Sequence, residues 1–252
     1  MKANVQGELQ EKIQQLKELI DGANRIVFFG GAGVSTESGI KDFRSEDGLY
    51  REKHKFPPEV MLSHSFFFSN TEDFYEFYRD KLVNPNVKPN ITHYFLAELE
   101  RTGKLAAVVT QNIDGLHQMA GSRVVYELHG SLCRNYCTGC HKFFDGDYVS
   151  RSQNVPICEI CGEIIKPDVV LYEEPLDEAT VEGAVREIYE ADLLIIGGTS
   201  LTVYPAAALI EYFNNGKIVL INRDPTPRDN IADLVINASL GQVFDQIKKL
   251  SQ

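Results

Sequence analysis

Positive charge is in short supply along this chain: 25 Lys and Arg stand against 36 Asp and Glu, for a formal net charge of −11 over 252 residues. That balance argues against a general nucleic-acid binder, which needs basic patches to neutralise phosphates. Lysine-rich protein segments would suit it as partners, although a solvated acidic surface explains the same number. Long hydrophobic runs are missing too. No apolar stretch approaches the roughly 20 residues that span a bilayer, and Leu193 to Gly198 is only strand length. No membrane partner is expected. Met1 to Glu18 is polar and charged, so no export signal is expected and the expected compartment is the cytoplasm. There the five cysteines stay reduced, and disulfides are not expected. Internal repeats and low-complexity tracts are also absent.

The chain does carry a regular alternation. Strand-like apolar runs fall at Arg25–Phe29, Leu105–Thr110, Val124–Leu128, Leu193–Ile196, Lys217–Ile221 and Leu234–Ile236. Helical spacing fills Glu8–Asp21, Glu72–Val83, Thr92–Arg101, Glu178–Tyr189, Pro205–Asn214 and Gln242–Leu250. Buried strands alternating with helices predict an α/β fold, a Rossmann-like parallel sheet with helices on both faces. Two segments interrupt it: the polar and aromatic Lys41–Pro89, and Leu132–Pro167, which holds every cysteine. They predict a smaller zinc-binding domain built from two insertions. The expected division is residues 1–44, 90–131 and 168–252 for the larger domain and 45–89 and 132–167 for the smaller.

After the first apolar run comes Gly30-Gly31-Ala32-Gly33-Val34-Ser35-Thr36. A strand that empties into a glycine-rich turn brings backbone N–H groups against a phosphate. The dinucleotide fingerprint G-x-G-x-x-G is incomplete, however, because Thr36 occupies the third glycine position. An acidic residue at the end of a second strand, about 20 positions on, is also lacking. Both gaps argue against an ordinary hydride-transfer site and for a nucleotide held in another pose.

Cys137-x2-Cys140 and Cys158-x2-Cys161, 17 residues apart, match a four-cysteine zinc pattern. Four thiolates close a tetrahedral shell with no position left for water, so one structural zinc is expected. Cys133 lies outside the spacing.

Four strands end in polar residues: Gln111-Asn112-Ile113-Asp114, His129-Gly130-Ser131, Gly198-Thr199-Ser200 and Asn222-Arg223-Asp224. Such ends form the ligand-binding edge of an α/β sheet. His129 suits a general base near neutral pH, while a strand-end histidine held by a backbone hydrogen bond is the plainer reading. Asn112 and Asp114 are equally natural helix caps.

Taken together, Gly31-Ala32-Gly33-x-Ser35-x-x-Ser38-Gly39-Ile40-x-Asp42-Phe43-Arg44, Thr110 to Asp114, Leu128-His129-Gly130, the Cys-x2-Cys pairs, Gly198-Thr199-Ser200-Leu201-x-Val203 and Ile221-Asn222 resemble the sirtuin family of NAD-dependent protein deacylases. The resemblance runs from about Ile20 to the C-terminus. It implies that Ala32, Thr36, Phe43 and Arg44 line the NAD site. Gln111, Ile113, Asp114 and His129 would contact the ribose and nicotinamide end, and Thr199, Ser200, Asn222 and Leu240 the adenosine half. It further implies that the acyl oxygen of a modified lysine attacks the nicotinamide ribose and that nicotinamide leaves. His129 then acts as base on the ribose hydroxyls, with Asn112 and Asp114 in the nicotinamide pocket. The implied products are free lysine and O-acyl-ADP-ribose, the implied partners are acyl-lysine proteins, and a monomer is expected. Val169, Val170 and Tyr172 match the family's peptide-pairing segment, with Tyr172 and Glu173 where Phe and Gly are usual. Lys41 replaces a usual proline. Members that prefer succinyl groups carry Tyr-x-x-Arg in the acyl pocket; Tyr78-Arg79-Asp80-Lys81 ends in Lys, which points to acetyl. A sirtuin-like ADP-ribosyltransferase or NAD hydrolase would use the same pocket. A non-catalytic NAD-sensing or zinc-ribbon module would be expected to lack His129 or the Gln111–Asp114 block.

Overall fold

Six of the apolar runs become one sheet. The structure, a computed structural model, describes residues 2–42, 48–52 and 54–251. Its strands in chain order are β1 (Ile26–Gly30), β2 (Leu105–Thr110), β3 (Val125–Glu127), β4 (Gly130–Cys137), β5 (Phe143–Asp145), β6 (Ile165–Val169), β7 (Leu193–Gly197), β8 (Lys217–Asn222) and β9 (Leu234–Asn237). The larger sheet has the order β3-β2-β1-β7-β8-β9, and every pairing in it is parallel. This is the doubly wound order, whose direction of winding reverses between β1 and β7.

Alternate side chains of each strand feed opposite faces, so both need cover. Ile26 and Phe28 pack with Ile13, Leu16, Phe95, Val243 and Phe244, from helices Lys2–Gly22, Ile91–Arg101 and Leu240–Leu250. Val27 and Phe29 pack with Ala184, Ile188, Leu209 and Ile210 on the other side. The first pair of these lies on helix Glu178–Glu190 and the second on Ala206–Tyr212. The latter, expected as an α-helix, is a 3-10 helix; it is short, and apolar burial rather than helical bonding holds it.

The two insertions meet. β5-β4-β6 form a small antiparallel sheet around the cysteines. Phe66, Phe67, Phe74, Tyr75 and Tyr78 pack into one core with Cys137, Phe144, Cys158 and Ile165 from it. The Tyr75 hydroxyl donates to the Ile165 carbonyl. The helix expected over Glu72–Val83 is interrupted: an α-helix, Thr71–Phe77, passes into a π turn, Tyr78–Leu82. The wider turn brings Tyr78, Lys81 and Leu82 to the main cavity. Among the described residues, no helix is long and apolar enough to cross a membrane.

Beneath the glycine turn lie two buried histidines, His93 and His117, with ring centroids 4.8 Å apart. His93 Nδ1 accepts from the Asn90 N–H at 3.2 Å, and Asn90 Nδ2 in turn donates to the Val34 carbonyl and Ser38 Oγ. Burial holds His93 down to about 4; burial, with His93 beside it, holds His117 down to about 3. Both are neutral in the fold, whereas in an unfolded chain they take up protons below about pH 6.5. Their contribution to stability is therefore complete above pH 6.5 and is lost as pH falls toward 4 and then 3. Each proton steepens that loss by roughly 1.4 kcal/mol per pH unit. Replacing both by Gln should flatten the melting temperature between pH 6 and 4 relative to the parent; an unchanged acid slope would rule the pair out as its cause.

Candidate active site

The carboxyl ends of β1 and β7 open into a cavity of about 500 Å³, at the reversal of winding where such sheets bind ligands. Close backbone approach builds its floor. Gly33 N–H donates to the Gly198 carbonyl at 2.8 Å, and a Cβ on Gly33 would sit 2.7 Å from Gly198 Cα. Thr36, in the third glycine position, instead closes its own turn: its Oγ1 donates to the Gly33 carbonyl at 3.0 Å. Ala32 and Thr36 both line the cavity. Phe43 and Arg44 lie outside the described residues.

The other strand ends converge on the same space. Gln111, Asn112, Ile113, Asp114, His129, Thr199, Ser200, Asn222 and Leu240 all line it. Thr199 and Asn222 are locked together: the Thr199 N–H donates to Asn222 Oδ1, and Asn222 Nδ2 donates to the Thr199 carbonyl, both at 3.0 Å. Gln111 Nε2 donates to Thr199 Oγ1 at 3.0 Å, which joins β2 to β7 across the floor.

Ser35, not singled out by residue type alone, links the two polar residues of the second strand end. It is 1% exposed; its Oγ donates to Asp114 Oδ2 at 2.7 Å and accepts from Asn112 Nδ2 at 3.0 Å. The other Asp114 oxygen accepts from the Leu116 N–H at 2.9 Å. Asp114 thus keeps its helix-start bond while facing the cavity. Burial pushes its carboxyl above the usual range, opposed by the Ser35 and Leu116 hydrogen bonds. Glu37 was also missed. It accepts from Ser239 Oγ and the Gly241 N–H at 3.0 and 2.8 Å, tying the glycine turn to a helix more than 200 positions away, and no local pattern announces such a partner.

His129 is held by a backbone hydrogen bond and lines the cavity. Its Nδ1 lies 3.1 Å from the Gln111 carbonyl. A carbonyl only accepts, so Nδ1 carries the proton and Nε2 keeps a lone pair. Burial holds the ring below its ordinary value, offset in part by that backbone bond, so it is neutral at neutral pH. The backbone carbonyl of His129 also accepts from the Val170 N–H at 3.0 Å. Val169, Val170 and Tyr172 line the same cavity.

The four cysteines of the two pairs bring their Sγ atoms within 4.8 Å of one another. Cys137 and Cys161 are 3.3 Å apart and Cys140 and Cys158 3.6 Å, with no disulfide between them. A tetrahedral zinc with Zn–S bonds of about 2.3 Å sets sulfurs roughly 3.8 Å apart, so the cluster fits one zinc ion. Gly139 and Cys140 N–H groups point at Cys137 Sγ, both at 3.4 Å, as they do around a metal-bound thiolate.

The family model of the Sir2 family matches residues 31–205, from the glycine turn through both insertions to the third polar strand end. The chain belongs to the Sir2 family. A Clostridium acetobutylicum protein named NAD-dependent protein deacetylase is 59% identical over 242 residues, 95% of this chain and 99% of that one. A Staphylococcus epidermidis protein of the same name is 47% identical over 93% of this chain and 96% of its own. Among solved structures, a Sir2 holding a deacetylated p53 peptide and 3′-O-acetyl-ADP-ribose matches with a TM-score of 0.88 at 36% identity, covering 94% of this chain and 98% of that one. A Sir2 with a p53 peptide and NAD matches at 0.85, also 36% identical, over 95% and 98%.

A zinc ion held by this cluster would be structural, because all four thiolates would be used and two of them, Cys137 and Cys158, belong to the core of the smaller module. Replacing Cys137 with Ser should abolish stoichiometric zinc by elemental analysis and lower the melting temperature by several degrees or more. A variant with parental stability would contradict that role.

Proposed function

We propose that this chain is an NAD-dependent protein-lysine deacetylase, which moves an acetyl group from lysine to ADP-ribose and releases nicotinamide and O-acetyl-ADP-ribose. The observation that carries the reading is a neutral His129, with Nε2 unprotonated, on the same cavity as the Ser35–Asn112–Asp114 cluster and the Val169–Tyr172 segment. NAD as co-substrate supplies an electrophilic ribose carbon and a leaving nicotinamide. Ala32, Thr36 and the turn around them hold the phosphates, with Thr199, Ser200, Asn222 and Leu240 on the adenosine side. Asp114, braced by Ser35 and the Leu116 N–H, takes the nicotinamide carboxamide, and Asn112 orders water beside it. Gln111 and Ile113 line the ribose end. His129 removes a ribose hydroxyl proton through Nε2, while its carbonyl steadies the strand that receives the peptide. The acyl-lysine protein adds as an extended strand beside Val169, Val170 and Tyr172. The larger sheet and its helices form the NAD-binding part, and the aromatic helices and zinc sheet form the smaller part.

Loss of a general base typically costs about 10²–10⁴-fold in rate. His129→Ala is expected to keep its fold and lose that much deacetylation of an acetyl-lysine peptide, with O-acetyl-ADP-ribose disappearing from the mass spectrum. Near-parental turnover in the variant would remove His129 from the chemistry. Nicotinamide release by the parent without peptide deacetylation would instead identify an NAD hydrolase.

The acyl pocket supports a neutral group. Lys81, at the position of the Arg in the Tyr-x-x-Arg pattern that starts at Tyr78, is paired with Glu52 at 2.7 Å and Asp80 at 3.1 Å. Glu52 is shared with Lys41 at 2.6 Å; Lys41 first and then Lys81 hold its carboxyl down to about 2. A succinyl carboxylate would have to displace Glu52 to gain a partner, and a charge left unpaired on burial is costly. Acetyl-lysine peptide should be turned over about tenfold faster than its succinyl counterpart or better. Faster desuccinylation would overturn this preference.

A further inference from the structure

The segment after β6, on the proposed peptide side of the cavity, has most of its backbone already committed. The Val170 N–H goes to the His129 carbonyl, the Leu171 N–H to Glu174 Oε2, and the Leu171 carbonyl accepts from the Glu174 N–H. Tyr172 is held on both sides, its N–H by the Leu62 carbonyl and its carbonyl by the His64 N–H. Among the described residues, the groups left without a backbone partner are the Val170 carbonyl and both the N–H and the carbonyl of Glu173. An extended peptide that pairs with this segment therefore runs past Glu173.

Glu173 is unusual in three respects. Its φ is +77°, in the left-handed region where a side chain other than that of Asn or Asp is seldom tolerated and glycine is favoured. Its side chain is exposed at the cavity rim, yet held in place: Oε2 accepts from the Ser65 N–H at 2.9 Å and Oε1 from Ser65 Oγ at 3.0 Å. Its charge is also uncompensated. The neighbouring Glu174 lies 2.8 Å from His64 Nδ1 and 3.1 Å from Lys166 Nζ, and Asp168 is paired with Arg134 at 2.7 Å. Among the described residues no cation pairs with Glu173. The strand edge that remains open for a peptide thus carries one fixed, unpaired negative charge.

We propose that Glu173 is a specificity-determining residue that selects acyl-lysine segments with a Lys or Arg within two residues of the modified lysine. This rests on the deacetylase reading above. Glu173 does not take part in bond making; it meets the substrate's flanking side chain at the rim, where an exposed ion pair favours binding modestly. A carboxylate that served only to clamp Ser65 would be replaced without loss of selectivity by an amide.

The test compares kcat/KM, with saturating NAD, on acetyl-lysine peptides identical except for Lys, Ala or Glu at the positions flanking the acetyl-lysine. The parent is expected to favour the Lys peptide over the Glu peptide by about two- to fivefold at low salt. The preference should shrink toward unity in about 0.5 M salt, where exposed pairs are screened. Glu173→Gln keeps an acceptor for Ser65 and should lose the preference, and Glu173→Lys should invert it. Glu173→Gly suits the left-handed backbone, so its loss of preference is not confounded by misfolding. Equal turnover of the three peptides by the parent, or a preference that survives in the Gln and Gly variants, would overturn the role of Glu173 while leaving the deacetylase reading intact. Failure of the parent to deacetylate any of the peptides would overturn the deacetylase reading, and this inference with it.

Discussion

Two glycine turns pressed against each other are the constraint on which the rest of this structure depends. Where β1 and β7 end, Gly33 donates to Gly198, and neither chain leaves room for a Cβ between them. A parallel sheet that changes winding direction at this point has to part its flanking helices, and the gap becomes a crevice. The close approach sets the depth of its floor. It also sends the chain after Gly33 up the wall, where Ser35 reaches the second strand end and Glu37 reaches the last helix. A methyl group at Gly33 would act far from itself, because every one of these side-chain links starts from the turn it would displace.

The polar groups gathered there serve the fold and the proposed chemistry together. A buried carboxylate or imidazole is costly unless hydrogen bonds satisfy it. Asp114 meets that demand with Ser35 and the start of a helix, and His129 meets it with the Gln111 carbonyl. The Asp114 bonds engage both of its carboxylate oxygens, whereas the His129 bond engages Nδ1 and leaves the Nε2 lone pair; both residues still line the cavity. For His129 the consequence is chemical: the structural bond determines which nitrogen is protonated, and burial keeps the ring neutral. The two readings of these residues at the level of sequence, cap or ligand contact and held histidine or base, are therefore compatible. Asp114 caps through Oδ1 and still lines the cavity, and His129 is held through Nδ1 with the Nε2 lone pair left.

What could be read from the sequence follows from how local the determining pattern is. The six core strands are short β-rich runs that end in glycine or polar residues, and their positions and parallel class were legible because burial leaves a near-continuous apolar signal in all but the half-buried edge strand β3. The zinc site was legible because its geometry is written in two spacings. The strands of the small sheet were not, since β5 is Phe143–Asp145 and β4 mixes Arg134, Asn135 and Tyr136 with its apolar residues. Their register comes from pairing with each other, with the cysteine cluster at one end. The π turn at Tyr78–Leu82 was equally hidden, as a helical repeat does not reveal one extra residue in a turn. Of the candidate site, the residues on strand ends were found and the braces behind them, Ser35, Glu37 and Asn90, were not. Their partners lie 52 to 204 positions away.

The smaller module and the larger one meet through the backbone of the candidate site itself. β4 begins at Gly130, directly after His129, and β6 ends at Val169, directly before the segment whose Val170 bonds back to His129. Gly130 pairs with Val169, and its φ of +76° with a carbonyl of Asp168 only 1.9 Å from any added Cβ admits glycine alone. The far end of the same two strands pairs Cys137 with Ile165, beside the cysteine cluster. A zinc ion held there would stand at one end of a ladder whose other end carries the proposed base and the proposed peptide edge. A metal with a closed shell would not enter the chemistry, but by pinning β4 against β6 it would fix the distance between His129 and the segment proposed to receive the substrate. That would account for a chain with a large core of its own in the six-stranded sheet also building a four-cysteine cluster into the module beside the candidate site.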